Sequence, residues 1–493
     1  MIRRAAYAAA LVLALLAAAL AVGTWRHGSR QLAVPAAPRV GLDEAAAAER
    51  LAGAVRFRTV SYETPSEESR AEFLRLHAYL ARSFPHAHAA LTRELVGGYS
   101  LLYTWPGREP AAKPILLMAH QDVVPVAPGT EGSWHAAPFA GEIRDGFVWG
   151  RGTWDDKGNL LAILEAVEML AAAGFQPRRT LYLAFGHDEE NGGLEGARAI
   201  AALLGSRGVR LGFVTDEGML ITDGMLPGLA SPAALIGVAE KGSVTLSLTA
   251  VEAPGHSSMP GPRSAIGVLA AALARLERAP LPASLSGVPA EMLATLAPEM
   301  SLPQRVALSN LWLFGPLVRA QLERTPATDA MLRTTTALTV VRGGNKDNVL
   351  PGEAVAHVNF RLLPGERIEQ VVRHVRRAIH DERLRIEVVA GATEASPVAA
   401  SDSASYRLLN RTIRELFPGV VVAPGLMIGG TDSRHMTAIA DAVYRFSPVR
   451  ARSADLARFH GTDERISIAN YAELIRFYER LIRNAAADGP SGP

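Results

Sequence analysis

The sequence contains no cysteine. A chain without thiols forms no disulfide bond, offers no thiolate to a metal and has no cysteine nucleophile. If this protein binds a metal, the ligands therefore come from histidine, aspartate and glutamate. Candidate metal chemistry is confined to clusters of these three residue types.

A strong excess of charge of one sign is also missing. The 493 residues carry 51 basic and 49 acidic side chains, which gives a net charge of +2. The chain has no basic stripe with interleaved aromatic residues, so we expect no nucleic-acid partner. With 48% hydrophobic residues, this length predicts a globular protein of two domains with additional segments.

One long apolar run lies near the N-terminus. Two arginines precede the uninterrupted apolar residues 5–23, which are long enough to cross a bilayer and predict that the rest of the chain is exported. Residues 19–21 (ALA) also fit the small-residue rule for signal cleavage. Residues 1–27 are therefore predicted to be a signal peptide or a membrane anchor, with a buried core helix as the alternative. Residues 28–41 resemble a flexible tether, and the body is expected outside the cytoplasm, in the periplasm or extracellular space.

Residues 115–126 (ILLMAHQDVVPV) combine an apolar strand with a polar end. Five apolar residues have the composition of a buried strand, and His120 and Asp122 follow where that strand should end. Polar side chains at the carboxyl ends of strands face a crevice in open α/β sheets. A histidine there can bind a metal while a nearby carboxylate fixes its tautomer. Alone, the triplet also fits an ordinary polar strand end.

The pattern of strands and helices predicts two domains. Between residues 98 and 218, short apolar strands alternate with helical segments, which favours a parallel sheet with crossover helices. Beyond residue 243, strictly alternating strands follow a strand-helix-strand-strand-helix-strand order, typical of a small α+β domain. The predicted divisions are a discontinuous main domain (42–242 and 391–485), an inserted domain (243–390) and a disordered tail (486–493).

Four predicted strand ends in succession carry acids or histidine. They are His120/Asp122, Asp155/Asp156, Glu189/Glu190 and Asp216/Glu217. Carboxylates gathered at one edge of a sheet repel one another and lose hydration, so such a cluster does not stabilise a fold by itself. A bound cation makes such a cluster of carboxylates favourable, because each carboxylate is then attracted to the metal. With one later histidine, the ligand count fits two zinc ions about 3.5–4 Å apart, each with three protein ligands and one open position.

Eight short motifs, in one order, resemble a known family. They are HQDVVP, GRGTWDDKG, GHDEENGG, DEG, PGHSS, NVLP, GGTDSR and FHGTDE. Over residues 42–484 the chain resembles the carboxypeptidase S and aminoacylase family of co-catalytic zinc metallohydrolases. Four further stretches make it most similar to the secreted N-acyl amino acid hydrolase/synthase branch: EKGS at 240–243, WLF at 312–314, RTTTAL at 333–338 and HG at 460–461.

The resemblance implies an architecture and a cofactor. The expected fold is α/β, with a zinc-exopeptidase-type catalytic domain whose mixed, mostly parallel sheet is flanked by helices. The inserted domain is expected to be a ferredoxin-like lid or dimerisation domain, so a homodimer through it is one option. The expected cofactor is two Zn²⁺ ions per chain, with Co²⁺ or Mn²⁺ as substitutes.

The resemblance also assigns roles within the acidic cluster. Asp122 would orient His120, Asp155 would bridge the two metals, and Glu189 would be the general base. The implied ligands are His120, Asp155, Glu190, one acid of the pair Asp216 and Glu217, and His460. Either acid of that pair can follow a strand end, so both remain candidates. For Glu189 the alternatives are a further metal ligand or a surface acid.

Four residues resemble the family's contacts to substrate. His256, in PGHSS, would reach an active site from the inserted domain and polarise the scissile carbonyl. Arg361, Asn348 and Arg434 would hold the α-carboxylate or the carbonyl of the substrate. The alternatives are a loop histidine for His256, a solvated strand residue for Arg361, and an ion pair with Asp432 for Arg434.

The activity that the resemblance implies is hydrolysis of an amide bond next to a free α-carboxylate. The favoured small-molecule substrate is an N-acyl amino acid, including N-fatty-acyl ones, and the reverse condensation is accessible at high reactant concentrations. A carboxypeptidase S-like peptidase acting on short peptides is the alternative. A non-catalytic, membrane-tethered binding protein is the remote alternative, disfavoured because a binder needs no base at Glu189.

Overall fold

The computed structural model describes residues 2–62 and 66–486. In these residues a ten-stranded sheet and a four-stranded sheet position the candidate site, and two smaller sheets accompany them. The predicted tail begins at Ala486, which is the last residue of the final helix, and its remaining residues 487–493 lie outside the described part of the chain.

The first part of the chain, up to residue 240, forms six helices and nine strands. The helices are α1 (Ile2–Arg26), α2 (Glu44–Val55), α3 (Glu67–Ser83), α4 (Pro85–Ala90), α5 (Lys157–Ala172) and α6 (Ala197–Ser206). The strands are β1 (Thr92–Val96), β2 (Ser100–Trp105), β3 (Ile115–His120), β4 (Glu142–Arg144), β5 (Phe147–Trp149), β6 (Leu181–Gly186), β7 (Phe213–Asp216), β8 (Ile221–Thr222) and β9 (Ala233–Glu240).

The middle part, residues 242–388, adds six strands and six helices. The strands are β10 (Gly242–Val251), β11 (Gly255–His256), β12 (Thr335–Gly343), β13 (Val349–Leu350), β14 (Glu353–Leu362) and β15 (Leu384–Val388). The helices are α7 (Ala265–Glu277), α8 (Gly287–Leu296), α9 (Leu302–Ser309), α10 (Leu311–Leu322), α11 (Pro326–Leu332) and α12 (Ile368–Ile379).

The last part returns to the large sheet. Its helices are α13 (Ala404–Leu416) and α14 (Ile468–Ala486). Its strands are β16 (Val421–Met427), β17 (Val443–Arg445), β18 (Arg450–Ala451) and β19 (Arg465–Ser467).

The large sheet is mixed, with parallel strands at its centre. Its order is β1-β2-β6-β3-β7-β17-β9-β8-β18, with β16 paired to β9. The neighbours β6, β3, β7 and β17 run parallel, whereas β1, β2 and β8 join antiparallel. Helices α2, α5 and α14 cover one face of this sheet, and α6 covers the other. The predicted α/β class is confirmed.

Two strands of this sheet, β9 and β16, were not predicted as such from the sequence. All eight residues of β9 are buried, and six of the seven in β16 are. A strand covered on both faces has no polar alternation. The sequences of β9 and β16 also contain several alanine and glycine residues, a composition that fits a loop or a short helix as well as a strand.

The middle part of the chain has two packing partners. Strands β12-β14-β10-β15 form an antiparallel sheet, and α7 and α12 share its core. Helix α8 instead packs against the large sheet, where Met292, Leu293 and Leu296 meet Leu235 of β9 and Val421 of β16. The predicted domain 243–390 therefore contains the small sheet together with helices that lie on the large one.

Residues 28–41, the predicted tether, follow α1 without regular secondary structure and lie against the body. Gln31 exchanges two hydrogen bonds with the backbone of Val422, at 2.7 and 2.9 Å. The N–H of Ala37 donates to the carbonyl of Glu415 at 2.8 Å. This segment thus joins α1 to β16 and α13.

Candidate active site

His120 ends β3 at the carboxyl edge of the large sheet, where it is buried. Its Nδ1 lies 3.0 Å from the backbone carbonyl and 3.3 Å from the carboxylate of Asp122. Its Nε2 lies 2.9 Å from Oδ1 of Asp155. Burial opposes protonation of the ring, but hydrogen bonds to Asp122 and Asp155 outweigh it and raise the pKa of His120 well above its usual value. The ring is held with Nε2 directed at the acidic cluster.

Asp155 lies between two imidazoles that are far apart in sequence. Its Oδ1 faces His120, and its Oδ2 lies 2.7 Å from Nε2 of His460. Burial favours the neutral acid, yet the hydrogen bonds from both histidines lower the pKa of Asp155. Hydrogen bonds to Asp155 and to Glu190, whose Oε2 is 3.4 Å away, raise the pKa of His460 to about 10. Each carboxylate oxygen of Asp155 thus forms a hydrogen bond with a different histidine.

The carboxylate of Asp122 also positions the loop after β6. It accepts the backbone N–H of Glu189 at 3.2 Å and that of Glu190 at 3.1 Å. These two residues begin a short 3₁₀ turn, Glu189–Asn191. One buried carboxylate therefore fixes both the ring of His120 and the pair of glutamates.

Three glutamates, Glu189, Glu190 and Glu217, line the cavity beside Asp155. Burial raises the pKa of Glu189 and of Glu217 well above the usual value, and neighbouring carboxylates, Asp155 among them, add to both shifts. The pKa of Glu190 is raised as well, first by burial. Its Oε1 is buried without a hydrogen-bond partner among the described residues.

This arrangement fits a divalent cation. Ligand atoms of His120, Asp155 and Glu190 lie within 4.8 Å of one another. Oxygen and imidazole donors of this kind suit Zn²⁺ and related metals. A cation would also provide the partner that Oε1 of Glu190 lacks and would relieve the repulsion among the acids.

Asp216 and Glu217 have different surroundings in the structure. Both oxygens of the Asp216 carboxylate accept backbone N–H groups, from Glu217 at 3.0 Å and from Ser433 at 2.8 Å. Glu217 instead lines the cavity together with Asp155 and Glu190. Of the two acids, only Glu217 is among the described residues that line this cavity.

A buried ion pair, which the sequence did not indicate, joins the two loops that carry Asp155 and His460. Nη1 of Arg151 lies 2.6 Å from Glu464, and both residues are almost fully buried. Glu464 also accepts the backbone N–H of Gly152, Trp154 and Asp155 at 2.9–3.1 Å. Nη2 of Arg151 donates to the carbonyls of His460 and Gly461, both at 3.1 Å.

The cavity has a volume of about 420 Å³ and combines the acids with a group of cations. Arg361 and Arg434 line it, and burial followed by the nearby charge of Arg434 lowers the pKa of Arg361. Arg434 donates to the carbonyl of Gly192 at 2.8 Å and makes no ion pair with Asp432 in the described part of the chain. Arg361 and Arg434 are therefore partly buried residues of the cavity wall and not solvated surface residues.

Lys241 is a third cation of this cavity that sequence reasoning did not single out, although it lies within the EKGS stretch. Its Nζ donates to the carbonyls of Ala330 and Arg333, both at 2.9 Å. Ala330 lies in the last turn of α11, and Arg333 directly follows that helix. Burial lowers the pKa of Lys241 to about 8. It connects the helical part of the insertion to the cavity wall.

His256 and Asn348 come together, but away from the acids. The N–H of Ser257 donates to the carbonyl of Asn348 at 3.1 Å beside the β11–β13 pairing. His256 is exposed, and its Nδ1 contacts the hydroxyl of Ser258 at 2.8 Å. Neither His256 nor Asn348 is among the described residues that line the cavity of a single chain.

Comparison with known proteins agrees with this geometry. The profile of "Peptidase family M20/M25/M40" matches residues 116–484. The chain is 43% identical over 441 residues to a probable carboxypeptidase S-like 2 of Dictyostelium discoideum, covering 89% of this chain and 84% of that one. It is 42% identical over 449 residues to the N-fatty-acyl-amino acid synthase/hydrolase PM20D1 of Xenopus tropicalis, covering 90% and 87%.

A solved structure shares the fold. The M20 family metallo-carboxypeptidase Sso-CP2 of Sulfolobus solfataricus superposes with a TM-score of 0.65 at 17% identity, covering 90% of this chain and 99% of that one. The resemblance that the motifs predicted is thereby confirmed. This chain belongs to peptidase family M20/M25/M40 and is a metal-dependent hydrolase of that family.

Proposed function

We propose that this chain is a di-zinc amidohydrolase that cleaves N-acyl amino acids, including those with fatty acyl chains. The observation that carries the proposal is the single cavity lined both by the cluster around Asp155 and by Arg361 and Arg434. A substrate with an amide bond and a free α-carboxylate matches that combination, because guanidinium groups bind carboxylates through paired hydrogen bonds. The PM20D1 relatives, named for fatty-acyl amino acids, support the acyl group.

The residues that would hold two zinc ions are those brought together at the sheet edge. His120, Asp155, Glu190 and His460, whose side chains contact one another, and Glu217, which lines the same cavity, would hold the metal. When bound, zinc polarises a carbonyl oxygen and acidifies a water molecule. Co²⁺ or Mn²⁺ suits the same donors.

The chain's own residues would then do the following. Glu189, with a raised pKa, takes a proton from the attacking water and returns it to the leaving amine. Asp122 keeps the glutamate loop and the ring of His120 in place. Arg361 and Arg434 orient the substrate by its carboxylate.

His256 and Asn348 would join this site from the two-stranded β11–β13 sheet of the inserted domain. Their exposed position fits a lid that closes, or a second copy of the chain that offers its own hairpin. The inserted sheet ends in the edge strand β12, whose Leu338 and Val341 are exposed, and this supports a homodimer. His256 would then donate a hydrogen bond to the scissile carbonyl.

The leading test is a substrate panel on the full chain. We expect N-oleoyl-phenylalanine to be hydrolysed faster than benzyloxycarbonyl-Gly-Leu, and N-oleoyl-phenylalanine amide, which lacks the carboxylate, to be a poor substrate. Preference for the dipeptide would favour the carboxypeptidase S-like alternative, which the Dictyostelium relative supports.

Arg361→Met tests the carboxylate contact. Loss of one charged hydrogen-bond partner costs about 1.5–3 kcal/mol, roughly a ten- to hundredfold loss in kcat/KM. That loss should appear for N-oleoyl-phenylalanine and largely vanish for its amide. An equal loss on both substrates would show that Arg361 does not read the carboxylate.

Metal analysis can show which of the two acids, Asp216 or Glu217, binds zinc. We expect Glu217→Gln to retain less zinc per chain than the unmodified enzyme, because its carboxylate faces the cavity. Asp216→Asn should mainly lower the melting temperature, because Asp216 holds two backbone N–H groups. Full zinc content in Glu217→Gln, with zinc lost from Asp216→Asn, would reverse the assignment.

A further inference from the structure

Most of helix α1 projects from the body without cover, and only its C-terminal end contacts other residues of the described chain. It has 25 residues, and its most apolar 18-residue window has a mean hydropathy of 2.5 and no buried residue. Its length of about 37 Å, at about 1.5 Å per residue, exceeds the hydrocarbon thickness of a bilayer, about 30 Å. A core helix of a water-soluble domain would be buried, so α1 needs an apolar environment that the described chain does not supply.

The C-terminal turns of α1 dock on the hairpin formed by α9 and α10, residues 302–322. Asn310, between these helices, is fully buried, and its amide nitrogen lies 3.2 Å from both the carbonyl of Leu20 and the hydroxyl of Thr24. The same nitrogen lies 2.9 Å from the carbonyl of Val306. The approach is close, because a Cβ on Gly23 would lie 2.2 Å from Oδ1 of Asn310.

This contact sets the depth of the hairpin relative to the apolar segment. If residues 5–23 fill the hydrocarbon layer, Leu20 and Thr24 lie at its boundary. Trp25 is 83% exposed there, and Trp312 is 65% exposed with its indole N–H 3.3 Å from Oδ1 of Asn310. Tryptophan concentrates at the membrane–water interface, and both exposed tryptophans fall at that level.

Helix α10 carries an apolar surface next to this point. None of its residues is buried, and its first eight, residues 311–318 (LWLFGPLV), contain no charge. Leu313 and Leu317 are 40% and 67% exposed, and Leu302 at the start of α9 is 70% exposed. Within the described residues, Leu302 and Leu317 thus keep most of their surface uncovered, and Leu313 keeps two fifths of it uncovered.

We propose that the α9–α10 hairpin lies in the interfacial layer of a lipid bilayer beside a retained α1, and seats the enzyme on the membrane surface. The contacts favour a bilayer as the partner of this apolar surface. Asn310 contacts both Leu20 of α1 and Trp312 of α10, so the lipid that surrounds α1 as far as Leu20 also reaches Trp312. An apolar stripe without charges, continuous with a spanning helix, is typical of such interfacial elements. The proposal rests on none of the catalytic assignments.

Tryptophan quenching by brominated lipid tests the proposal on the full chain in phosphatidylcholine vesicles. The other four tryptophans, Trp105, Trp134, Trp149 and Trp154, are at most 9% exposed. Trp25→Phe therefore leaves Trp312 as the one exposed tryptophan. We expect brominated vesicles to reduce the emission of Trp25→Phe and to leave that of the Trp25→Phe/Trp312→Phe variant unchanged. Equal emission losses in the two variants would overturn the proposal.

Single-cysteine labelling gives a second measurement, because the chain has no native cysteine. A polarity-sensitive fluorophore on Leu317→Cys should shift to shorter wavelength in vesicles and be quenched by brominated lipid. The same label on Val388→Cys, 49% exposed at the edge of the inserted sheet, should show neither change. Disulfide-linked dimers through position 317, or a mature chain that starts after residue 23 by mass spectrometry, would instead show a second copy or a cleaved leader and would overturn the proposal.

Discussion

Replacing Glu189 by glutamine is expected to lower kcat by about 10²- to 10⁴-fold, the usual contribution of a general base, with the zinc content unchanged. The side chain lines the cavity next to Asp155 and Glu190, and its backbone N–H is fixed by Asp122. Burial and the neighbouring carboxylates raise the pKa of Glu189, which makes it a better proton acceptor. Glutamine keeps the size of the side chain but cannot take a proton.

Glu190→Gln is the matched control for this prediction. Glu190 lies 3.4 Å from Nε2 of His460 and has a buried oxygen without a hydrogen-bond partner in the described part of the chain, so its variant should lose zinc as well as activity. The measurements are steady-state kinetics and zinc per chain by plasma mass spectrometry. Zinc loss from Glu189→Gln with full content in Glu190→Gln would exchange the two assignments. Full activity in Glu189→Gln would show that Glu189 is not the general base.

Replacing Glu464 by alanine should lower the free energy of unfolding by about 3–5 kcal/mol, the usual cost of removing one partner from a buried ion pair. The variant leaves Arg151 buried without its carboxylate. It also removes the acceptor of three backbone N–H groups in residues 152–155. Because this loop carries Asp155 and Arg151 holds the carbonyl of His460, zinc affinity should fall as well.

An exposed ion pair provides the control for Glu464. Asp223 lies 3.0 Å from Arg452, and the two side chains are 40% and 75% exposed. Asp223→Ala should change the free energy of unfolding by no more than about 1 kcal/mol, as exposed pairs do. Chemical denaturation and zinc titration of both variants measure the difference. Equal stability of Glu464→Ala and Asp223→Ala would show that the buried pair does not hold the two loops.

The sequence predicted the site best where a candidate metal ligand directly follows a predicted strand. His120 ends an apolar strand, and Glu190 and Glu217 each lie close after a strand of the large sheet, so parallel pairing predicts that they meet at one edge. Asp155 instead follows β5, which belongs to the separate antiparallel sheet β19-β5-β4, so the predicted fourth strand end of the same sheet is wrong and tertiary packing places Asp155 at the site. His460 has no such strand before it and was assigned only through resemblance. The structure brings its imidazole to Asp155.

Other features depend on tertiary packing that a linear pattern does not contain. Residues 287–332 lie within the predicted inserted domain, yet Met292 and Leu293 pack on β9 and β16, because an apolar helix fits any apolar surface of the right shape. The Arg151–Glu464 pair joins residues more than three hundred positions apart in the chain. Neither side chain has a local pattern that distinguishes it from a surface charge.

The late position of His460 and Glu464 has a consequence for biosynthesis. Strand β19, which pairs with β5, and helix α14, which covers the core of the large sheet, also come from the end of the chain. A nascent polypeptide that has emerged only to residue 450 therefore lacks one imidazole of the site and the carboxylate that holds the Asp155 loop. Competence to bind metal at the complete site therefore arises only when nearly the whole polypeptide has been synthesised.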